Sequence, residues 1–255
     1  MRNDFLQIMH ELRICVVIPT YNNSRSLKEV IDSVLSVTDH LIVVDDGSTD
    51  TSAIILNELG SRITAIKYYP NRGKGYALKM AFREAIQQGF DYAITMDSDG
   101  QHQAADIENF VTAIEKHPHS LLVGSRGMKH ENMPQKNTFA NRFSNFWFAL
   151  QTAHFLPDTQ SGFRVYPLKK MGNMNFLTNR YETELEILVR CAWRNIKILP
   201  VPINVYYPPL SERVSHFRPG ADFFRISLLN TILCLIAIFY GYPSMVYCKL
   251  LKINS

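Results

Sequence analysis

Short apolar runs alternate with amphipathic stretches through the first half of the chain, a rhythm that predicts a sheet layered with helices. Runs at 13–18, 41–44, about 63–68, 92–96 and 121–124 have the length and branched apolar content of buried strands. Between them Leu27, Val30, Ile31, Val34 and Leu35 fall at helical spacing, so 26–36 should bury one stripe. Ile107, Phe110, Val111 and Ile114 mark a second such helix. Strand, helix, strand recurs without a long linker, which predicts an α/β fold with a Rossmann-like, mainly parallel sheet flanked by helices.

In that architecture ligands bind at the carboxyl ends of strands, so three loops draw attention. They are Pro19-Thr20-Tyr21-Asn22-Asn23, Asp45-Asp46-Gly47-Ser48-Thr49-Asp50 and Asp97-Ser98-Asp99-Gly100-Gln101. The third is the most informative, because two carboxylates one residue apart can hold a divalent cation that grips a diphosphate. Asp and Gly are also ordinary turn residues, and each loop taken alone is compatible with a capped turn. A calcium loop would need Gly at its sixth position, where His102 stands, and a helix rather than a strand before it. In the second loop a carboxylate can accept hydrogen bonds from a nucleobase or ribose, while Ser48 can cap the next helix. The segment 71–78 carries Gly73, Lys74 and Gly75 but fits neither GxxxxGK[ST] nor GxGxxG, which disfavours a P-loop enzyme or a dinucleotide dehydrogenase. Its glycines suit close packing beside a nucleotide, with Lys74 either near the phosphate charge or solvated at a helix start.

The chain has 255 residues, 46% hydrophobic and 20% charged, a globular composition with room for one α/β domain and an appendage. A net charge of +4 without a Lys/Arg run argues against a nucleic-acid partner. Four scattered cysteines, Cys15, Cys191, Cys234 and Cys248, show no CxxC spacing and read as reduced, structural thiols of a cytoplasmic compartment. Residues 1–11, with Asp4 and Glu11, lack the pattern of a signal peptide. Two stretches point to a membrane. The segment 139–155 concentrates Phe139, Phe143, Phe146, Trp147, Phe148 and Phe155 and could dock a lipid. The apolar run 226–247 lies between Arg225 and Lys249 and is interrupted by Gly241 and Pro243. Its clean part, 226–240, would rise about 22 Å, short of a hydrocarbon core of about 30 Å. An interfacial or partly inserted helix is therefore favoured over a full span, with burial against the rest of the chain as the third arrangement.

In order and spacing, the strings at 17–22, 42–50, 71–75 and 97–101 resemble the family 2 glycosyltransferases of the GT-A fold over about the first 130 residues. Gly124-Ser125-Arg126 and the segment from Asp158 to Arg164 are similar to the polyprenol-phosphate (dolichol-phosphate) sugar synthase branch. The resemblance implies a metal-dependent, inverting hexosyltransferase using a nucleotide-diphosphate sugar and a lipid-borne acceptor, foremost a polyprenyl phosphate. A glycan or lipid hydroxyl is the alternative acceptor, and a non-catalytic nucleotide-sugar sensor the reading from another class. Carried over by position, Pro19, Tyr21, Asp45, Asp46, Lys74, Asp97, Ser98, Arg126 and His216 fall on the nucleotide-sugar side. Asp97, Asp99 and Gln101 match the ligands of Mg²⁺ or Mn²⁺, and Asp99, Asp158, Arg126 and Arg213 are the residues expected to carry catalysis. Asp158 would orient groups for a phosphate acceptor, or take the proton of a hydroxyl acceptor. Glu182 and Glu184, in the first turn of a helix through Trp193, either complement its dipole or meet the acceptor.

One departure stands out. Synthases of this branch carry an Arg and a Ser-Lys pair after the last strand, and here 211–218 has His216 at the lysine position, with Arg213 and Arg218 nearby to supply charge. The expected organisation is a catalytic domain over 1–220 and a hydrophobic, membrane-associated helix over 221–255, at the cytoplasmic face of the cell membrane.

Overall fold

The computed structural model describes residues 2–126, 135–172, 174–207 and 219–253. The chain opens with α1 (Arg2–Glu11), then runs β1 (Ile14–Thr20), α2 (Ser24–Leu35), β2 (Leu41–Asp45), α3 (Ser52–Leu59), β3 (Thr64–Lys67), α4 (Lys74–Gln87) and β4 (Tyr92–Thr95). It continues with α5 (Ile107–Lys116), β5 (Leu121–Arg126), α6 (Gln135–Thr152), β6 (Arg164–Pro167), the single turn α7 (Leu168–Met171), α8 (Glu182–Trp193) and β7 (Ile198–Ile203). The last elements are α9 (Pro219–Ile236), a π-helical turn (Ala237–Gly241) and α10 (Tyr242–Ile253).

Every residue of β1, β2 and β4 is buried, which is why these strands read as continuous apolar runs rather than alternating ones. The period of two still operates, sending Cys15, Val17, Ile42 and Val44 to one face and Ile14, Val16, Ile18 and Val43 to the other. On the first face they meet Leu78 and Phe82 of α4 and Leu188 of α8; on the second, Leu27 and Ile31 of α2 and Phe110 of α5.

The seven strands lie in the order β3-β2-β1-β4-β6-β5-β7. Four neighbouring pairs are parallel, and β6 runs antiparallel to both β4 and β5. The sheet is thus mainly parallel, as the pattern predicts, with one reversed strand the pattern does not reveal. That reversal positions the site. Because Arg164 at the start of β6 pairs with Thr95 at the end of β4 and with Val123 of β5, the segment before β6 arrives beside the acidic loop.

At the C-terminus, Gly241 and Pro243 do not stop the helix as expected. A wider π turn absorbs them, and the helical path continues from α9 into α10. Gly241 rests on the Trp193 indole, where a Cβ would overlap the ring, and Ser244 Oγ donates to the Trp193 carbonyl at 3.0 Å. Leu229, Leu233, Ala237 and Met245 form the buried stripe of this helix. Gln151 of α6 donates to Asn230 Oδ1 at 2.9 Å, a polar pin within that contact. The other face leaves Phe224, Leu228, Leu235 and Phe239 exposed, so burial of the whole helix against the domain does not occur. The four cysteines are free thiols, and burial pushes Cys191 up to about 12.

Candidate active site

The first three loops are fastened to one another mainly by side chains that bond to backbone. Asn22 adopts a left-handed backbone, φ 47°, which Asn tolerates well. There its Oδ1 accepts from Thr49 N at 2.7 Å while its own N–H donates to Ser48 Oγ at 2.9 Å. Asp45 Oδ1 accepts from Ser48 N at 2.8 Å. Asp46 is buried, and its carboxylate accepts from Arg72 N at 2.7 Å, Gly73 N at 2.8 Å and Asn71 Nδ2 at 2.8 Å. Burial raises its pKa above the ordinary range against the pull of these bonds. Asp46 therefore shapes the 71–73 loop with both oxygens, and its N–H donates at 2.9 Å to the carbonyl of Thr20, which stands between Pro19 and Tyr21 at the end of β1. Gly47, at φ 76°, comes so close to Asn71 that a Cβ would lie 2.6 Å from its nitrogen.

The acidic pair faces a lysine. Lys74, the first residue of α4, places Nζ 2.6 Å from Asp97 Oδ1 and 3.0 Å from Glu184 Oε2 of α8. Burial works against its charge, yet Asp97 and Glu184 more than compensate and hold it protonated. Asp97 is likewise desolvated but kept ionised by Lys74. Asp99 is different: burial and then the Asp97 charge push it up to about 6. Its Oδ1 accepts from Gln101 N at 3.0 Å, and Ser98 turns toward the first loop, accepting from Asn23 Nδ2 at 3.0 Å. Gly162 presses on this group, and a Cβ there would lie 2.8 Å from Lys74 Nζ and closer still to Asp97.

Behind the acidic loop lies a second charged layer. Arg126 grips Asp158 through two parallel bonds, Nε to Oδ2 at 2.6 Å and Nη2 to Oδ1 at 2.9 Å. Asp158 Oδ1 also accepts from Gln160 N at 3.1 Å and Ser161 N at 3.2 Å. Both Asp158 oxygens are thus occupied by donors, Oδ2 by Arg126 and Oδ1 by Arg126, Gln160 and Ser161.

Two residues to which the sequence assigned no role, Arg164 and Glu186, tie backbone segments together here. Arg164, fully buried, spends its guanidinium on the carbonyls of Ser161, Glu184 and Thr159 at 2.6, 2.8 and 2.9 Å, tying the 158–162 segment to α8. Glu186, also fully buried, accepts from Leu177 N and Thr178 N at 2.8 and 3.0 Å. His102, whose ring lies 5.1 Å from that of Phe163, feels the charges of both layers, and burial lowers its pKa. Arg164 closes the string at 158–164 that resembles the synthase branch, but its own local signal was a lone charged residue at the edge of an apolar run. Glu182 Oε2 and Glu184 Oε1 are buried without a hydrogen-bond partner.

The chain returns to the acidic loop at its far end, where Tyr206 N donates to the Gln101 carbonyl at 2.8 Å. Arg213, His216 and Arg218 follow within 208–218 and lie outside the described residues, as does the side chain of Phe139. The donor set at the acidic loop suits a hard divalent ion. Asp97 and Glu184 meet on Lys74, and Asp99 lies near enough for the Asp97 charge to raise it, so carboxylates outnumber cations on oxygen donors, the preference of Mg²⁺ and Mn²⁺.

Comparison with known proteins agrees with this geometry. The model of glycosyl transferase family 2 matches residues 15–172, and the chain belongs to that family. The UDP-N-acetylglucosamine–dolichyl-phosphate N-acetylglucosaminyltransferase of Methanococcus voltae is 30% identical over 245 residues, covering 87% of this chain and 98% of the relative. The polyprenol monophosphomannose synthase of Mycolicibacterium smegmatis is 25% identical over 204 residues, covering 75% and 77%. Among solved structures, glucosyl-3-phosphoglycerate synthase from Mycobacterium tuberculosis, in complex with Mn²⁺, UDP-glucose and phosphoglyceric acid, superposes with a TM-score of 0.66. That match covers 93% of this chain and 83% of the other at 19% identity, and it speaks to the GT-A fold.

Proposed function

We propose that this protein is an inverting hexosyltransferase that moves a sugar from a nucleotide diphosphate to a polyprenyl phosphate at the cytoplasmic face of a membrane. The observation that carries the reading is the convergence of Asp97, Asp99 and Lys74 at the end of β4, beside the loop that Asp46 holds in place. Asp97 and Asp99, with Gln101 adjoining, would hold Mg²⁺ or Mn²⁺, which when bound neutralises charge on the departing diphosphate. Lys74 supplies a further positive charge in the same crevice, and Arg126, oriented by Asp158, a second. The acceptor side supports a phosphate. A lipid phosphate is already ionised near neutral pH and needs no base, which suits a site whose Asp158 is spent on Arg126. The named relatives, acting on dolichyl or polyprenol phosphate, favour the same acceptor class.

The membrane contact in this reading is the exposed face of α9 and α10. Within the helical path from Asp222 to Leu251 an 18-residue window reaches a mean hydropathy of 2.0, and the outward side chains are aromatic and aliphatic. One stripe already packs on the domain, so the helix would lie along the bilayer rather than cross it, and residues 221–255 act as the membrane-associated part.

A hydroxyl acceptor is the second reading, favoured by the unpartnered oxygens of Glu182 and Glu184. The two part on experiment. The full chain, incubated with UDP- and GDP-sugars, Mg²⁺ and a membrane lipid extract, should give a glycosylated polyprenyl phosphate by mass spectrometry. Sugar appearing only on neutral lipids or soluble glycans would overturn the phosphate reading.

A further inference from the structure

At the other end of the sheet from Asp97, where the parallel strands begin, a second cluster of ligating side chains stands outside the site described above. His10, in the last turn of α1, places Nε2 2.7 Å from Asp39 Oδ1, and His40 Nε2 lies 3.7 Å from the same oxygen. The ligating atoms of all three fall within 4.8 Å of one another. Donors on one tetrahedral ion with bonds of about 2.0–2.1 Å are separated by roughly 3.4 Å, so small side-chain rotations would bring these three to an ion.

The supports are firm. The His40 carbonyl accepts from Val16 N of β1 at 2.8 Å, and Thr38 Oγ1 accepts from His40 N at 3.2 Å. The edge of Phe90 meets the His40 ring at 5.0 Å, and Met9, beside His10, is fully buried. All three ligating side chains are partly open to solvent, which leaves coordination positions for water. An ion pair between His10 and Asp39 would explain the shorter contact but does not call for a second imidazole facing the same oxygen.

We infer that His10, Asp39 and His40 form a second metal site, distinct from the acidic loop, for a borderline divalent ion such as Zn²⁺. Two imidazole nitrogens and one carboxylate suit Zn²⁺, whereas the oxygen set at Asp97 and Asp99 suits Mg²⁺. An ion there ties the first helix to the entry of β2, so its effect is on stability.

The test is calorimetric titration of the full metal-free chain with Zn²⁺ in the presence of excess Mg²⁺, repeated on His10→Ala, His40→Ala and Asp99→Asn. One equivalent should bind the parent and Asp99→Asn, with affinity reduced at least about tenfold in either histidine variant. Zn²⁺ should raise the Tm of the parent and leave that of His10→Ala unchanged. Thermal melts without zinc establish that the variants fold. Zn²⁺ binding that survives at parent affinity in both His10→Ala and His40→Ala, or that disappears in Asp99→Asn, would overturn the site, as would failure of the parent to bind.

Discussion

The two flanks of the candidate site are built by different means. On the flank assigned to the nucleotide, the loops at 19–23, 45–50, 71–75 and 97–101 are short and are joined mainly through backbone, as by Asn22 to Thr49 and Asp46 to Arg72. On the opposite flank, 158–164 and α8 are held by buried charge: Arg126 on Asp158, Arg164 on three carbonyls and Glu186 on the 177–178 turn. Single hydrogen bonds contribute modestly and fail gently, whereas buried charges fail abruptly because the remaining partner is stranded. The first flank should therefore tolerate change in its scaffold and not in its ligands, the second the reverse.

The largest effect expected is on the first flank. Asp99→Asn keeps the shape of the loop but removes a ligand charge, so kcat/KM should fall by about 10²–10³, read from initial rates of nucleotide release with Mg²⁺. Near-parent turnover would break the assignment of Asp99 to the metal. Next comes the scaffold of the second flank. Asp158→Asn strands Arg126, which at 15% exposure is relieved in part by water, and should cost about 2–3 kcal/mol in urea denaturation. Asn22→Ala, its counterpart across the crevice, should cost about 1 kcal/mol. Equal losses in the two variants would erase the contrast.

This division also explains what the sequence discloses. The nucleotide-side motifs are legible because each is a contiguous string at the end of a strand, and the strands are legible because burial on both faces makes them uninterrupted apolar runs. Even the bounds agree closely, with the helix expected at 26–36 found at Ser24–Leu35. The opposite flank is assembled across distance. Four-residue β6 acquires its reversed direction only by pairing Val165 with Ile94 and Leu122, and nothing local encodes that choice. The proximity of Gly162 to Asp97 follows from it, as does the nest of carbonyls around Arg164. Lys74 was readable as a residue near charge, but its second partner, Glu184, belongs to a helix more than a hundred residues away. The π turn at Ala237–Gly241 was hidden because Gly and Pro signal a break, and only the Trp193 ring beneath Gly241 shows why a wider turn suffices.

A smaller effect, set by pH, sharpens the contrast further. Asp99 lies raised at about 6 in the metal-free protein, so the native state binds its proton more tightly than the unfolded chain does. Stability from this group is full below about pH 4 and is lost as pH rises through 6. Metal reverses the preference, because an ion competes with that proton. Affinity for Mg²⁺, followed by calorimetry, should weaken about tenfold per pH unit below 6 in the parent. Asp99→Asn should show a flatter profile. A parent profile that is flat between pH 5 and 7 would place the titrating group elsewhere.

The smallest expected effect concerns the surface beyond the charged flank. Phe239 is 81% exposed on the outward face of the π turn, while Ala237, two residues before it, is buried against the domain. A side chain so placed adds nothing to the folded core, and its removal should leave the thermal midpoint within about a degree, as for surface changes generally. If the outward face of α9 and α10 lies in the interface of a bilayer, however, the ring is partly buried there, and losing it forfeits up to about half of the roughly 3 kcal/mol that full burial of such a side chain can bring. Phe239→Ser should then weaken sedimentation with anionic phospholipid vesicles by up to about tenfold while release of nucleotide from a soluble donor continues at the parent rate. A variant that binds vesicles as the parent does would remove the membrane from this face. A variant that instead unfolds early would mean that the ring packs on the domain. Only weaker vesicle binding with an unchanged midpoint fits a helix divided lengthwise between protein and lipid.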